Sequence, residues 1–278
     1  MKSGIVGLHG VVLALAFATN AWADCSTRYF LYAEQSLDLA DRVSVGRGSI
    51  ASGNEAELGV DSKVQGDLVS PFVTLRVDAL VNGSVYTDNI VDAQIGARIL
   101  GDTLPIGLNQ ACDPPSIPTV TPGVGDLFVT GTEQLPPGVY GHVSVGVGGA
   151  LIVSTGTYHF ASIVFEPDST LVGVWQGAPA RLLVQEAVLF GDRHEQSIVR
   201  STGVANTESV IEIHSMQTHQ LRLGTDATIY SRIFAPFAEI NVPSRTVVYA
   251  PLYGNQIRVE PDVIIGGEVA STEPNICL

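Results

Sequence analysis

The stretch "LGVDSKVQGDL" (residues 58–68) decides the fold, because its pattern recurs twice farther along the chain. It aligns with "LRVDALVNGSV" (residues 75–85) and with "AQIGARILGDT" (residues 93–103). Each copy holds apolar residues at positions i and i+2, a polar or glycine corner, and one more apolar residue. Apolar residues two positions apart indicate a strand with one buried face. The pattern therefore predicts short strands and no helices.

Rows of equivalent residues run through the three copies. The apolar rows are Leu58–Leu75–Ala93, Val60–Val77–Ile95 and Val64–Val81–Ile99. A fourth row holds Gly66, Gly83 and Gly101, which we expect to supply corner backbone angles that side chains resist. An earlier, rougher copy spans residues 37–43 and aligns Leu37 with Leu58.

The second half of the chain repeats as well. Residues 143–153 align with residues 163–173, which places Leu151 over Leu171. Residues 221–230, 240–249 and 257–266 are three further copies in succession. The spacing of all these copies predicts an all-β fold, a right-handed parallel β-helix (β-solenoid) with coils of about 17–20 residues. A β-sandwich, the main alternative, would not require the same rows to recur.

The proline distribution divides the predicted β-helix into two stacks. Residues 104–137 contain seven of the fifteen prolines and no copy of the repeat. Proline lacks an amide hydrogen, so this segment is a poor interior strand. We therefore expect a Pro-rich linker or excursion at 104–137, between N-terminal coils at 24–103 and C-terminal coils at 138–278.

The N-terminus has the pattern of a signal peptide. Lys2 precedes an apolar run, and Ala21-Trp22-Ala23 fits the small-x-small cleavage rule, so residues 1–23 should be removed. An uncleaved membrane anchor is the alternative, but the apolar run is short for a bilayer and no later run is long enough. We expect an exported protein without a membrane span, located in the periplasm, on the outer surface or outside the cell.

Three cysteines remain in the processed chain, Cys25, Cys112 and Cys277. In an oxidising compartment we expect one disulfide and one leftover thiol. Cys112 can reach back from the Pro-rich segment to Cys25, whereas Cys25 and Cys277 should lie near opposite ends of the rod. The sequence therefore favours a Cys25–Cys112 disulfide. Cys277 then either links chains or is a buried or unpaired thiol.

The charge balance excludes one class of partner. Acidic residues outnumber basic residues 28 to 14, the formal net charge is −14, and Lys2 and Lys63 are the only lysines. A nucleic-acid binder needs a basic surface to meet the phosphates. We therefore expect no nucleic-acid partner.

Two parts of the chain resemble known β-helical proteins. The segment 37–103, with "VQGDL", "VNGSV" and "ILGDT", resembles the polymer-forming bactofilin repeat. That resemblance implies a right-handed β-helix that stacks end to end into non-polar filaments. The segment 135–270, with its G-x-Y and APxAxI steps, resembles a β-helical domain of secreted or envelope proteins of bacteria, notably myxobacteria, often in polymer-forming or pilus-associated contexts. Neither resemblance implies catalytic residues.

The sequence holds no convergent set of catalytic groups. The polar segment "GDRHEQS" (residues 191–197) lacks the second histidine of a zinc helix, because Ile198 stands at that position. We interpret this segment as a solvated loop. Glycoside hydrolases need paired carboxylates at a fixed separation, and no such pair is evident. The sequence predicts no enzyme activity and no catalytic or cofactor-binding residue.

One pair of acidic residues suggests a metal. Asp61 and Asp78 occupy equivalent corners of adjacent coils, so their carboxylates should stack about 5 Å apart. Like charges at that distance repel unless a cation intervenes. Structural calcium, with its flexible oxygen coordination, is the natural candidate. The alternative is two solvated aspartates screened by salt, with Lys63 nearby.

These observations favour a structural or self-assembling protein of the bacterial envelope or cell surface. Open β-helix ends expose unpaired backbone groups that invite end-to-end pairing into a homo-oligomer. The first alternative is a carbohydrate-binding or adhesin module that binds a surface glycan on a flat face. Its hint is the aromatic set Tyr230, Tyr249 and Tyr253. The second alternative is a polysaccharide-active enzyme, for which the required groove is not apparent.

Overall fold

The computed structural model describes residues 25–46, 48–107, 110, 112, 115–199 and 210–266. Within these residues the chain is all-β, with twenty-seven strands and one four-residue helix, α1 (Cys25–Arg28). The strands are β1 (Tyr29–Leu39), β2 (Ser44–Val45), β3 (Ser49–Ser52), β4 (Glu55–Leu58), β5 (Lys63–Val64), β6 (Leu68–Val69), β7 (Phe72–Leu75), β8 (Leu80–Val81), β9 (Val85–Tyr86), β10 (Asp92–Ala93), β11 (Arg98–Ile99), β12 (Thr103–Leu104), β13 (Leu127–Val129), β14 (Thr132–Leu135), β15 (Gly138–Val145), β16 (Ala150–Ser154), β17 (Gly156–Phe165), β18 (Thr170–Val174), β19 (Ala180–Phe190), β20 (Glu195–Val199), β21 (Ile211–Ser215), β22 (Leu221–Arg222), β23 (Thr228–Ile229), β24 (Arg232–Val242), β25 (Val247–Val248), β26 (Leu252–Val259) and β27 (Ile264–Ile265). The described part contains no helix with the length and apolar character that crossing a membrane requires.

The strands form two long parallel sheets, called here sheet 1 with sixteen strands and sheet 2 with eleven. The chain passes from one sheet to the other and returns, once in each repeat. The pairing confirms the predicted rows, because Val64 lies beside Val81 and Val81 lies beside Ile99. In the second half, Leu151 lies beside Leu171.

One predicted alignment is wrong. Leu58 lies beside Leu39, and not beside Leu37 as the rougher first copy suggested. Leu37 lies instead beside Ala56, so the first copy is shifted by one strand period. A shift by one full strand period preserves which side chains face inward, which is why the apolar pattern alone did not exclude it.

The core lies inside the curved sheets and consists of the inward-facing residues of each strand. In β1, alternate residues Leu31, Ala33, Leu37 and Leu39 are buried, with at most 1% exposure. The row of equivalent inward residues in sheet 2 is Ile99, Val81, Val64, Val45, Ile265, Val248, Ile229, Gln196, Leu171, Leu151 and Glu133. Each repeat therefore stacks its inward residues on those of the repeats above and below, and the two sheets share one core.

The order of the strands differs from the order expected from the sequence. The first strand of sheet 1, β1, pairs with β26, and the first strand of sheet 2, β2, pairs with β27. The described chain therefore begins and ends in the middle of both sheets. The strands at the two ends of the sheets are β11 and β12 on one side and β13 and β14 on the other. The two predicted stacks form one continuous pair of sheets.

A crossing segment, residues 105–107, 110, 112 and 115–126, carries the chain from β12 at one end to β13 at the other. It follows the outer face of sheet 1, where the Tyr29 hydroxyl donates a hydrogen bond to the Gln110 carbonyl at 2.6 Å. Farther along, the Thr121 amide donates to Nδ1 of His159 at 3.1 Å. Residues 127–135, which the sequence assigns to the excursion, form β13 and β14 and belong to the sheets.

The crossing segment also brings the cysteines together. Cys25 and Cys112 form a disulfide, with their Cα atoms 5.0 Å apart. Cys25 is buried against Phe234 and Tyr253, which belong to the last repeats of the chain. The predicted Cys25–Cys112 pairing is therefore present, whereas the predicted separation of Cys25 from Cys277 is not tested. Cys277 lies outside the described residues.

The corner glycines have a different role from the predicted one. Gly66, Gly83 and Gly101 do not have left-handed backbone angles; in these repeats such angles occur at a different corner, at Asp61 (φ 58°), Asp78 (φ 56°) and Gly96 (φ 81°). Aspartate tolerates this conformation better than most side chains do. Gly83 is required by close approach, because a Cβ there would stand 2.5 Å from the carbonyl oxygen of Gly66 in the next repeat.

Candidate functional site: the two ends of the sheets

The first end of the sheets, called here the open end, consists of β10, β11 and β12. Among the described residues, each of these strands pairs on one side only, with β7, β8 and β9 respectively. In a parallel strand, backbone groups point alternately to the two sides. Half of the backbone donors and acceptors of these strands therefore face away from the protein. Such an edge is a template for pairing with another chain.

The inward residues of the open end lose the burial that their neighbours have. Ala93 is exposed although Leu75, beside it in the preceding repeat, is 0% exposed. Ile99 is half-buried although Val81 is 0% exposed. No described residue covers these side chains from beyond the end. At the open end, inward apolar residues of the core are therefore uncovered by described residues, and unpaired strand edges surround them.

The opposite end consists of β13 and β14 and is chemically different. The strand pairing places Glu133 beside Leu151, which is 0% exposed and points into the core. Glu133 therefore stands in an apolar inward row, and it is exposed because no strand of the described residues lies beyond it. An inward-pointing charge on an edge strand is a device that prevents pairing at that edge. Sequence reasoning missed this residue because it placed residues 104–137 outside the repeats.

Arg98, in β11 of the open end, has no carboxylate partner in the described part of the chain. Eight other described arginines have one within 4.0 Å; they are Arg42, Arg76, Arg181, Arg193, Arg222, Arg232, Arg245 and Arg258. Arg98 is exposed, and so is Asp102, which follows shortly after β11. The open end therefore carries an exposed cation and an exposed anion in addition to its apolar centre.

A ladder of left-handed corner residues runs along one edge of the protein. From the opposite end to the open end it reads Gly148, Asp168, Arg193, Asp226, Arg245, Asp262, Arg42, Asp61, Asp78 and Gly96. Backbone hydrogen bonds join its steps, for example from the Asp61 amide to the Val77 carbonyl at 3.1 Å. Three arginines each bind an aspartate through two nitrogens, in the pairs Arg193–Asp168, Arg245–Asp226 and Arg42–Asp262. The ladder continues across the junction of the first and last repeats.

The charges of this corner ladder act on one another. The hydrogen bonds and charge of Arg245 hold the pKa of Asp226 below its usual value, and Arg42 does the same for the pKa of Asp262. These groups are exposed, so screening by water and salt limits their effect on stability.

The predicted calcium ligands are the last two charged steps of the ladder, before Gly96. Asp61 and Asp78 occupy adjacent corners, as predicted, and Arg42 is the step that precedes Asp61. In the described residues, no three histidine, cysteine, aspartate or glutamate side chains are grouped so that they could hold a metal. Calcium at Asp61 and Asp78 therefore stays a prediction.

The segment 191–197 is not the solvated loop that its polarity suggested. His194 is 1% exposed and lies inside the core, with its ring centroid 4.7 Å from that of Phe165 and 5.0 Å from that of Phe190. Its Nδ1 is 3.0 Å from the Ser169 hydroxyl oxygen. Burial lowers the pKa of His194 to about 3. The segment looks polar because Asp192 and Arg193 form the corner. His194, which follows them, is buried in the core.

The aromatic set proposed for glycan binding is divided between two places. Tyr230 and Tyr249 stack with ring centroids 4.7 Å apart and are partly exposed. Tyr253 is 1% exposed, and its ring stacks on Tyr32 at 5.1 Å near the crossing segment. These three tyrosines therefore do not form one exposed aromatic row, which the glycan-binding alternative would require.

A polar cavity of about 210 Å³ lies where the crossing segment meets the outer face of sheet 1. Arg28, Tyr29, Asp67 and Tyr86 are among its lining residues. Asp67 accepts a hydrogen bond from the Ser84 amide at 2.8 Å, and the Tyr29 hydroxyl is engaged by Gln110. The cavity combines aromatic faces with a carboxylate and a guanidinium group.

Comparison with protein-family models, with curated proteins and with solved structures gives no match to this chain. The functional inference therefore rests on the chain's own residues.

Proposed function

We propose that this chain is an exported, non-catalytic structural protein that folds as a right-handed β-solenoid and self-assembles through the end of its strand stack. Parallel pairing between residues mostly 17–20 positions apart, with intervals of 24 to 33 positions between β17 and β23, supports the solenoid. The Cys25–Cys112 disulfide supports an oxidising compartment, because disulfides persist mainly outside the cytoplasm.

The observation that carries the proposed assembly is the open end. Ala93 and Ile99 occupy core rows there without cover from the described residues, and three strand edges are unpaired. A second chain that supplied matching strands would extend the sheets and bury these rows. Strand addition of this kind obtains affinity from main-chain hydrogen bonds and specificity from alternate side chains.

The test is sedimentation velocity over a dilution series of the chain from Asp24 onward, accompanied by negative-stain microscopy. We expect concentration-dependent association, with rods joined at their ends. One such rod should be on the order of 50 Å long, from twelve strand positions at about 4.8 Å spacing. Rods that remain single at every concentration would contradict the assembly role.

A second candidate function is binding of a small sugar in the polar cavity lined by Arg28, Tyr29, Asp67 and Tyr86. Carbohydrate sites combine aromatic faces with groups that orient hydroxyls, and this cavity offers both. The test is a titration with mono- and disaccharides monitored by NMR, with Asp67→Asn as the comparison variant. Chemical-shift changes confined to this cavity and absent in Asp67→Asn would support sugar binding.

A further inference from the structure

We infer that assembly stops at two copies, joined open end to open end, because Glu133 closes the opposite end to pairing. This inference rests on the proposed self-assembly and names its partner as a second copy of the same chain.

The two ends of the sheets are poor partners for each other. If copies joined head to tail, β11 of one copy would add to β14 of the next, and the inward row of sheet 2 would continue from Ile99 to Glu133. Glu133 would then lie between Leu151, which is 0% exposed, and Ile99 of the second copy. A carboxylate buried between apolar side chains without a partner is strongly disfavoured. Head-to-tail growth is therefore opposed by one residue.

The open ends of two copies, in contrast, can pair with each other. Its inward residues are Val91, Ala93, Ala97, Ile99 and Thr103. None of them is charged, so two open ends can meet without burying an ion. Facing copies present their strands antiparallel, and antiparallel pairing is a standard way to continue a sheet. The pair is isologous, because both copies use the same surface.

The exposed charges of two facing open ends are also complementary. When two open ends face each other, Arg98 of each copy lies on the same joined edge as Asp102 of the other copy, which follows β11 after the Gly101 corner. Arg98 and Asp102 are both exposed, and Arg98 has no carboxylate within 4.0 Å among the described residues. In head-to-tail stacking, the residue that follows Arg98 in its row is the neutral Thr132. Charge therefore favours the same arrangement that the inward rows favour.

The open end lies away from the first and last described repeats. The described chain begins at Cys25 and stops at Gly266, both in the middle of the sheets. The open end is formed by internal residues 92–104, so pairing there does not require the first or last described repeats to move. A pair of rods would expose two opposite ends, each carrying an inward Glu133, and growth would stop.

The test compares three chains by mass photometry and negative-stain microscopy: the wild type, Glu133→Leu and Ile99→Glu. The wild type should form pairs of rods, twice the mass of one chain. Glu133→Leu should form chains of many rods, because the opposite end becomes an apolar continuation. Ile99→Glu should weaken pairing by about 100-fold or more, because it places a carboxylate in the joined core row.

Matched controls carry the same substitutions on lateral surfaces. Glu186→Leu, on an exposed position of β19, and Ile264→Glu, on a 47% exposed position of β27, should both pair like the wild type. If Ile99→Glu fails to fold, Arg98→Asp should weaken pairing and the double variant Arg98→Asp/Asp102→Arg should restore it. This charge exchange tests the contact between Arg98 and Asp102 of the two copies and leaves the core unchanged.

The outcomes separate two failures. Single rods for both the wild type and Glu133→Leu would overturn the proposed assembly itself. Wild-type chains longer than two rods, or pairing that Ile99→Glu and Arg98→Asp leave unchanged, would overturn the open-end pair while leaving assembly standing.

Discussion

Leu31 lies directly beside Leu252 in adjacent parallel strands, although one belongs to the first described repeat and the other to the last. This contact joins the first repeat to the last and makes two predicted stacks into one continuous structure. Both side chains are buried, with 0% and 1% exposure.

Leu252→Ala should therefore destabilise the whole protein. Removing a buried leucine side chain costs about 2–5 kcal/mol of unfolding free energy, and here the loss falls on the junction that both halves share. Urea unfolding followed by circular dichroism should show one transition with a lower midpoint. Ile264→Ala, at an exposed position nearby, is the control and should change the midpoint little. Two separate transitions would contradict a shared junction.

Reduction of the Cys25–Cys112 disulfide should lower stability by about 4–5 kcal/mol, the chain-entropy value for a loop of 87 residues. The expected origin is the freedom that residues 25–112 gain in the unfolded chain when the loop is opened. Unfolding curves with and without reductant, together with the Cys25→Ser/Cys112→Ser variant, measure this loss. Cys277→Ser should unfold like the wild type, and it should remove any disulfide-linked dimer seen on non-reducing gels.

Stability should fall as the pH drops from about 6.5 towards 3, because His194 is neutral in the fold. Its pKa is 6.5 in the unfolded chain and about 3 in the folded protein, so the unfolded state binds the extra proton in this window. The slope should approach about 1.4 kcal/mol per pH unit, with a total on the order of 5 kcal/mol. His194→Gln should have a flat profile between pH 6.5 and 4.5, whereas the surface variant His219→Gln should keep the slope. An unchanged slope in His194→Gln would remove His194 as its source.

Arg245→Gln should raise the pKa of Asp226 towards its ordinary value of 3.8, because Arg245 is the main cause of its depression. An NMR titration of the aspartate carboxyl carbons measures this change. The stabilisation from the wild-type pair is present above the unfolded pKa and is lost as the pH falls through the lower folded value. The effect should weaken with added salt, since the pair is exposed. An Asp226 pKa that does not move would show that the pair in the corner ladder does not persist in solution.

The pairing between repeats that are neighbours in the sequence could be predicted from the sequence. The row Val64–Val81–Ile99 recurs at a nearly constant spacing, so its pairing could be predicted and is confirmed. The Leu31–Leu252 contact has no such local signal, because any two repeats of this type offer compatible apolar rows. The order of the repeats depends on where the crossing segment leads, and its prolines do not specify a direction.

The candidate site was predictable in part. Open strand edges follow from a repeat fold without an evident cap, so assembly at an end could be proposed from the sequence. The difference between the ends depends on Glu133, whose role is visible only when "TEQL" (residues 132–135) is aligned under "ALIV" (residues 150–153). His194 was missed because its neighbours Asp192 and Arg193 are corner residues, and the corner's polarity concealed the buried position that follows it.

Amide hydrogen exchange measured at low and high protein concentration reports directly whether two copies join through the open end. If two copies join through the open end, residues 93–104 should gain protection as the concentration rises, while residues 127–135 at the opposite end should not change. Exchange that is independent of concentration at residues 93–104, or protection that develops at residues 127–135, would contradict the account.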